Sequence, residues 1–204
     1  MALSPSFAGV ILAAGASSRM GREKALLPWK GGTFLSTAIQ SLQQTTDLVL
    51  VVVGPHNQAE LAPVIYANAA FLVLNPHPEN GQFSSLQRGL EEVLNRGRDA
   101  AILTLVDRPA PQMETIAQLK ALFTTSPDQV WAVVPEYSGK HGHPITIGRE
   151  MIDAFLRAPA ASTARDVEHA HQSHILYVAV DDPLVTLNVN TAEDFEKLRS
   201  GTTA

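Results

Sequence analysis

Residues 48–53 read Leu-Val-Leu-Val-Val-Val, six apolar residues in a row, four of them β-branched. A run this short and this apolar on both alternating faces is the pattern of a strand covered on both sides, which belongs inside a parallel sheet. Gly54-Pro55 stops it. Two further runs have the same character: Val10-Ile11-Leu12-Ala13, and residues 100–106, which end at Asp107-Arg108-Pro109. Shorter strands are predicted at 70–74, 130–134, 145–147 and 175–180. Between them, helical spacing predicts helices over 33–44, 57–67, from Ser84-Ser85 to about 94, and over 111–123, 149–156, 163–169 and 191–198. In the first of these Phe34, Leu35, Ala38, Ile39 and Leu42 share one face behind a Thr33 cap, and Asn57 is placed to cap the second. Strand and helix alternate with short connections, which predicts a three-layer α/β fold around a mostly parallel sheet. The whole chain, 1–204, is expected to be one domain, with 200–204 a frayed tail. Ligands of such sheets bind beyond the carboxyl ends of the strands. Three features are predicted there: the loop from Ala14 to Lys24, the loop from Asn75 to Ser85, and Asp107.

Composition narrows the chemistry. Hydrophobic residues make up 45% and charged ones 17%, enough for a sizeable core. A net charge of −5 argues against a surface that grips nucleic acid. With no cysteine, disulfides, thiolate catalysis and cysteine zinc sites are excluded. No apolar run approaches the ~18 residues of a membrane helix. Residues 7–16 form an apolar run ending in small residues, but no basic residue precedes them and Arg19 and Lys24 follow, so a buried first strand is expected rather than a signal segment. The expected setting is cytoplasmic.

The loop after the first strand is built of small residues and carries Arg19 and Lys24 with Gly21 between them. Small residues let a polyanion approach the backbone, whose N–H groups, with the two cations, can hold phosphates. Gly15 and Gly21 do not fit the dinucleotide glycine pattern, and they stand one residue too far apart for a phosphate loop. The alternative is a surface turn with two solvated cations. Asp107 ends a buried strand, where a carboxylate is costly unless paired; it can cap a helix or pair with Arg108. Asn190 or Thr191 can cap the last helix. Ser84 and Ser85 can cap a helix or present N–H groups to an anion. The stretch 135–144, with Gly139, Gly142 and His143, reads as a loop that either binds or merely turns. His169 and His171 would lie about 200° apart on a helix, and His141 and His143 flank a glycine, so neither pair is expected to bind zinc.

One stretch is specific. Leu12, Ala13, Ala14, Gly15, Ser17, Arg19, Met20, Gly21 and Lys24 match L-A-A/G-G-x-S-x-R-M-G-x-x-K, and matches continue at Asn75-Pro76, Asn80-Gly81, Ser84-Ser85-Leu86, Gly89-Leu90, Asp107 with Pro109, Gly142-His143-Pro144 and residues 190–194. On these residues the chain resembles the MobA-like nucleotidyltransferases, particularly the molybdenum cofactor cytidylyltransferases, over nearly its whole length. The resemblance implies a Rossmann-like sheet of the nucleotide-diphospho-sugar transferase kind and transfer of a nucleoside monophosphate from an NTP to a phosphorylated pterin acceptor, with pyrophosphate released. It implies that Leu12, Ala13, Ala14 and Gly15 meet base and ribose, that Arg19 and Lys24 hold the triphosphate, and that Asn80, Gly81 and Ser85 complete the nucleotide side. Asp107 would hold Mg2+ with Asn190, and Arg19, Lys24 and Asp107 would be catalytic. Gly142 and His143 would face the acceptor. Ala at position 14 goes with CTP in that family, and Gly with GTP, whereas Asn at position 190 is commoner on the guanylyl side. Arg108 stands where many members carry Met, Gln or His. Two other roles stay open: the same chemistry with GTP or a sugar or polyol phosphate, and a non-catalytic carrier of the cofactor for a molybdoenzyme partner.

Overall fold

The computed structural model describes residues 5–16 and 21–201. The elements are, in chain order, β1 (Phe7–Leu12), β2 (Pro28–Trp29), β3 (Gly32–Thr33), α1 (Phe34–Gln43), β4 (Leu48–Val53), α2 (Gln58–Ala67), β5 (Phe71–Leu74), α3 (Gln82–Asn95) and β6 (Ala100–Leu105). They continue as α4 (Met113–Thr125), β7 (Ala132–Tyr137), β8 (Lys140–His141), β9 (Ile145–Ile147), α5 (Arg149–Arg157), α6 (Ala164–Ala170), β10 (Ile175–Ala179) and α7 (Ala192–Arg199). Apart from β2 and β3, which form a separate hairpin, the strands make one sheet in the order β10-β7-β9-β6-β1-β4-β5, with β8 added to β7.

The continuous apolar runs form the middle of this sheet, as their patterning requires. Every residue of β1 is buried, and β1 pairs in parallel with β4 on one side and β6 on the other. Alternate residues feed two cores. Val10, Leu12, Leu50 and Val52 face α3 and α5, through side chains such as Leu90 and Phe155. Ile11, Val49, Val51 and Val53 face α1, α2 and α4, through Leu35, Leu61 and Ile116. The result is the three-layer α/β arrangement, and the approach is close. A Cβ on Gly89 of α3 would stand 3.0 Å from side-chain atoms of both Val10 and Val52.

Two strands, β8 and β9, run against the rest. β9 is antiparallel to both β6 and β7, so the sheet is mixed though mostly parallel. The cause is the length of the connection. Residues 138–144 cannot supply the dozen or more residues that a parallel crossover needs. The stretch 135–144, expected as a loop, instead extends β7 to Tyr137 and turns at Ser138 and Gly139, both at positive φ, into β8.

Two hydrogen bonds carry the sheet past its strand ends. Ala13 N–H donates to the Val52 carbonyl (2.8 Å), and Val106 N–H donates to the Leu12 carbonyl (3.1 Å). The chain after β1 and the chain after β6 therefore emerge side by side, at the carboxyl edge. A third, small core holds the C-terminal segment there. Leu27, Phe34, Val189, Phe195 and Leu198 pack together, with Phe34 edge-on to both Trp29 and Phe195. Of the expected tail, Ser200 and Gly201 close α7, with Ser200 N–H donating to Glu196, while 202–204 lie outside the described residues.

Candidate functional site

The site begins where β1 ends. Ala13 is buried, and its carbonyl accepts from the Asn57 side-chain amide at 2.8 Å. Asn57 was expected to cap α2, but it makes no capping bond to that helix. Its carbonyl oxygen accepts from Gly54 N–H (3.0 Å), and its amide also donates to Glu23 Oε2 (3.2 Å). Glu23 in turn caps a single 3-10 turn, Lys24–Leu26, by accepting from Ala25 N–H. This relay, from the end of β1 through Asn57 and Glu23, sets the position of Lys24. An amide serves here because it donates and accepts at once.

Lys24 is almost covered, with its side chain 11% exposed. Its ammonium donates to Asn190 Oδ1 at 3.0 Å and stands 3.8 Å from Asp107 Oδ2. Three residues distant in sequence thus meet at one point. Asp107 reaches it because it follows β6, and its carbonyl accepts from Val189 N–H (2.9 Å), which ties the two segments together. Asn190 reaches it because Thr191 takes the cap of α7. Thr191 and Asp194 form a reciprocal capping box, and Asn190 gives only its backbone N–H to Asp194 Oδ2. The Asn190 amide is left to the cleft. Asn188, two residues earlier, is exposed and does not line it.

Among the described residues Asp107 Oδ1 is buried and accepts no hydrogen bond. A buried carboxylate oxygen without a donor is costly unless a cation or a ligand completes it. Among the described residues no cluster of three or more acidic or imidazole side chains could hold a metal by itself. One carboxylate and one amide oxygen fit an ion such as magnesium, which takes few protein ligands and fills its shell with substrate phosphates and water. Arg108, the other candidate partner for Asp107, points its guanidinium to the Val185 carbonyl (3.2 Å), and burial lowers its pKa.

Around this point lies a cavity of about 310 Å³. Leu12, Ala14, Gly15, Lys24, Asp107 and Asn190 line one side, and Gly81, Gln82 and Ser85 from the start of α3 line the other. Gly81 sits at φ +92, a conformation that glycine adopts without strain. Neither Ser84 nor Ser85 caps α3. Gly81 is the N-cap residue, and both serine hydroxyls accept from the Asn75 amide. Ala13, in contrast, is turned away from the cavity. Arg19, with Ser17, Ser18 and Met20, lies outside the described residues.

A second cavity, about 400 Å³, adjoins the first and shares Leu12, Gly81, Gln82 and Leu105 with it. Asn80 and His143 line this one and not the first. The His143 ring is kept neutral: burial and the nearby Arg108 push its pKa down to about 3, against a weak bond to the Leu103 carbonyl. Gly142 lines neither cavity. It is buried against the turn at 183–186, where a Cβ would come within 2.4 Å of the Val185 carbonyl.

Sequence reasoning missed Glu23, Gln82, Glu168 and Asp182. Gln82 touches both cavities and Glu168 lines the second. Asp182 is fully buried and accepts from Gln112 N–H, Thr115 Oγ and Leu184 N–H, so it locks the start of α4 to the turn beside Gly142. The Asp-Asp-Pro sequence at 181–183 was its available signal, since an Asp before a proline favours turn initiation.

The chain is similar to known proteins. The family model described as the MobA-like NTP transferase domain matches residues 9–176. A molybdenum cofactor guanylyltransferase of Xanthomonas euvesicatoria pv. vesicatoria is 30% identical over 199 residues, 97% of each chain. The molybdenum cofactor cytidylyltransferase of Escherichia coli K12 is 27% identical over 190 residues, 91% of this chain and 92% of that one. Among solved structures, Rv0371c from Mycobacterium tuberculosis H37Rv superposes with a TM-score of 0.81 at 24% identity, covering 97% of this chain and 98% of that one.

Proposed function

Because the chain belongs to the MobA-like NTP transferase family, we propose that it moves a nucleoside monophosphate, CMP by preference, from an NTP to a phosphorylated pterin acceptor, molybdopterin or the molybdenum cofactor. The single observation that carries this reading is the meeting of Lys24, Asp107 and Asn190 in the first cavity, which a second cavity adjoins. The first cavity takes the triphosphate and nucleoside; the second takes the acceptor's ring system. The relatives named above act on the molybdenum cofactor, one with each nucleotide.

In this reading an acceptor phosphate oxygen attacks the α-phosphorus of the NTP, the bond from that phosphorus to the bridging oxygen breaks, and pyrophosphate leaves. No covalent enzyme intermediate is required, so the protein's contribution is positioning and charge neutralisation. Lys24, held in place by the Asn57–Glu23 relay, neutralises phosphate charge, and Arg19, which lies outside the described residues, is read as sharing that role. Leu12, Ala14 and Gly15 let the nucleoside lie against backbone, while Gly81 and Ser85 bound it from α3. Asp107 and Asn190 would hold Mg2+, which when bound spreads the charge that builds on the phosphates. An NTP donor supports a cytoplasmic setting.

Ala14 supports CTP and Asn190 leans the other way, so the nucleotide is decided by experiment. With molybdopterin and Mg2+ present, α-labelled CTP is expected to label the cofactor faster than α-labelled GTP. Faster labelling from GTP would overturn the cytidylyl preference and leave the transferase reading standing.

A further inference from the structure

The second cavity has a wall unlike that of the first. Phe83, Leu86, Leu103 and Ile145 make it largely apolar. Two titratable side chains enter it, His143 and Glu168. His143 is neutral, and its Nδ1 is spent on the Leu103 carbonyl. Glu168 stands on α6 and is half-buried. Among the described residues its carboxylate makes neither a hydrogen bond nor an ion pair within 4 Å. Burial raises its pKa, opposed only by the field of Arg165, one turn earlier. Lining the cavity, this carboxylate is open to N–H or O–H donors that a ligand brings.

The wall decides which donors fit. A sugar or polyol would use the polar side chains of Asn80, Gln82, Ser162 and Thr163 and leave the apolar wall without a partner. A flat heteroaromatic ring needs apolar faces and one polar edge. A fused 2-amino-4-oxo ring presents two adjacent N–H donors on that edge, the ring N3–H and the exocyclic amine, which match the two oxygens of one carboxylate.

We propose that Glu168 is the specificity-determining residue of the acceptor cavity, its carboxylate receiving the paired N–H donors of a 2-amino-4-oxo fused ring while the apolar wall covers the ring faces. This rests on the reading of the second cavity as the acceptor's. Removing one donor from such a site leaves a carboxylate oxygen unpaired and costs on the order of tenfold or more in affinity.

The test is fluorescence titration of the full chain with 6-hydroxymethylpterin and with 6-hydroxymethyllumazine, in which an oxygen replaces the 2-amino group. The wild type is expected to bind the pterin at least tenfold more tightly, and Glu168→Gln to lose that preference. CTP and Mg2+ binding, measured by calorimetry, should be unchanged in the variant, which shows that it is folded. Equal binding of the two probes by the wild type, a preference kept in Glu168→Gln, or no pterin binding at all would each overturn the proposal. Pyrophosphate release from wild type with molybdopterin separates the two failures. Release without a pterin preference sinks Glu168 alone, whereas absence of release with every NTP sinks the underlying function.

Discussion

His143 shows how far one buried side chain can be displaced from its ordinary chemistry. Its pKa is about 3 against a usual 6.5, chiefly through burial and then through Arg108. Between those two values the unfolded chain binds a proton that the folded chain refuses. The unfolding free energy therefore rises with pH across that window: the contribution is complete above about 6.5 and is lost as pH falls toward 3. The urea midpoint of the wild type is expected to drop between pH 7 and pH 5, and His143→Gln to drop less. An equal drop in both would mean that the ring is solvated. Residues differ in how legible such roles are from sequence. Asp107 could be singled out because it closes an apolar strand, and Lys24 because it ends a loop of small residues. Asn57 and Glu168 could not. Asn57 looks like a helix cap until Ala13 and Glu23 are brought to its amide, and Glu168 looks like a solvated helix charge until the fold places it in one cavity with Phe83 and Ile145. Their environments are made by segments far away in sequence.

At the scale of elements, the strands that are apolar on both faces were the most legible, since nothing but a doubly covered sheet accommodates β1, β4 and β6. The short pieces were not. The hairpin of β2 and β3, the turn carrying Lys24 and the turn at 183–186 are two to four residues long and have no period to detect. The contact between Gly142 and that last turn belongs to this scale. His143 N–H donates to the Val185 carbonyl at 2.8 Å, and Gly142 packs against the same group. A methyl at position 142 would force the turn away and drag on the start of β9. Gly142→Ala is expected to cost roughly 1–3 kcal/mol of stability, measured by denaturant unfolding, with a weaker grip on the pterin probe. A fully stable Gly142→Ala protein would show that the turn yields freely.

Across the whole molecule, the function depends on chain segments that only the sheet brings together. Residues 12–16 and Lys24 come from the chain after β1, Asp107 from the end of β6, and Asn190 from a C-terminal segment held by the Phe34–Phe195 contact. The alternation of strands and helices predicted the carboxyl edge as the place of binding. It did not predict the reversal at β9, which follows from a connection too short to cross the sheet. Nor did it predict two cavities sharing one border, because a border is a property of the assembled edge. The central claim is that nucleotidyl transfer takes place in the first cavity, beside that border, with Asp107 essential to it. Pyrophosphate release, measured with molybdopterin, CTP and Mg2+, tests it most directly in wild type and Asp107→Ala. Wild type is predicted to turn over and Asp107→Ala to lose on the order of a hundredfold or more while staying folded. Turnover undiminished in Asp107→Ala, or absent from wild type with every NTP, would contradict it.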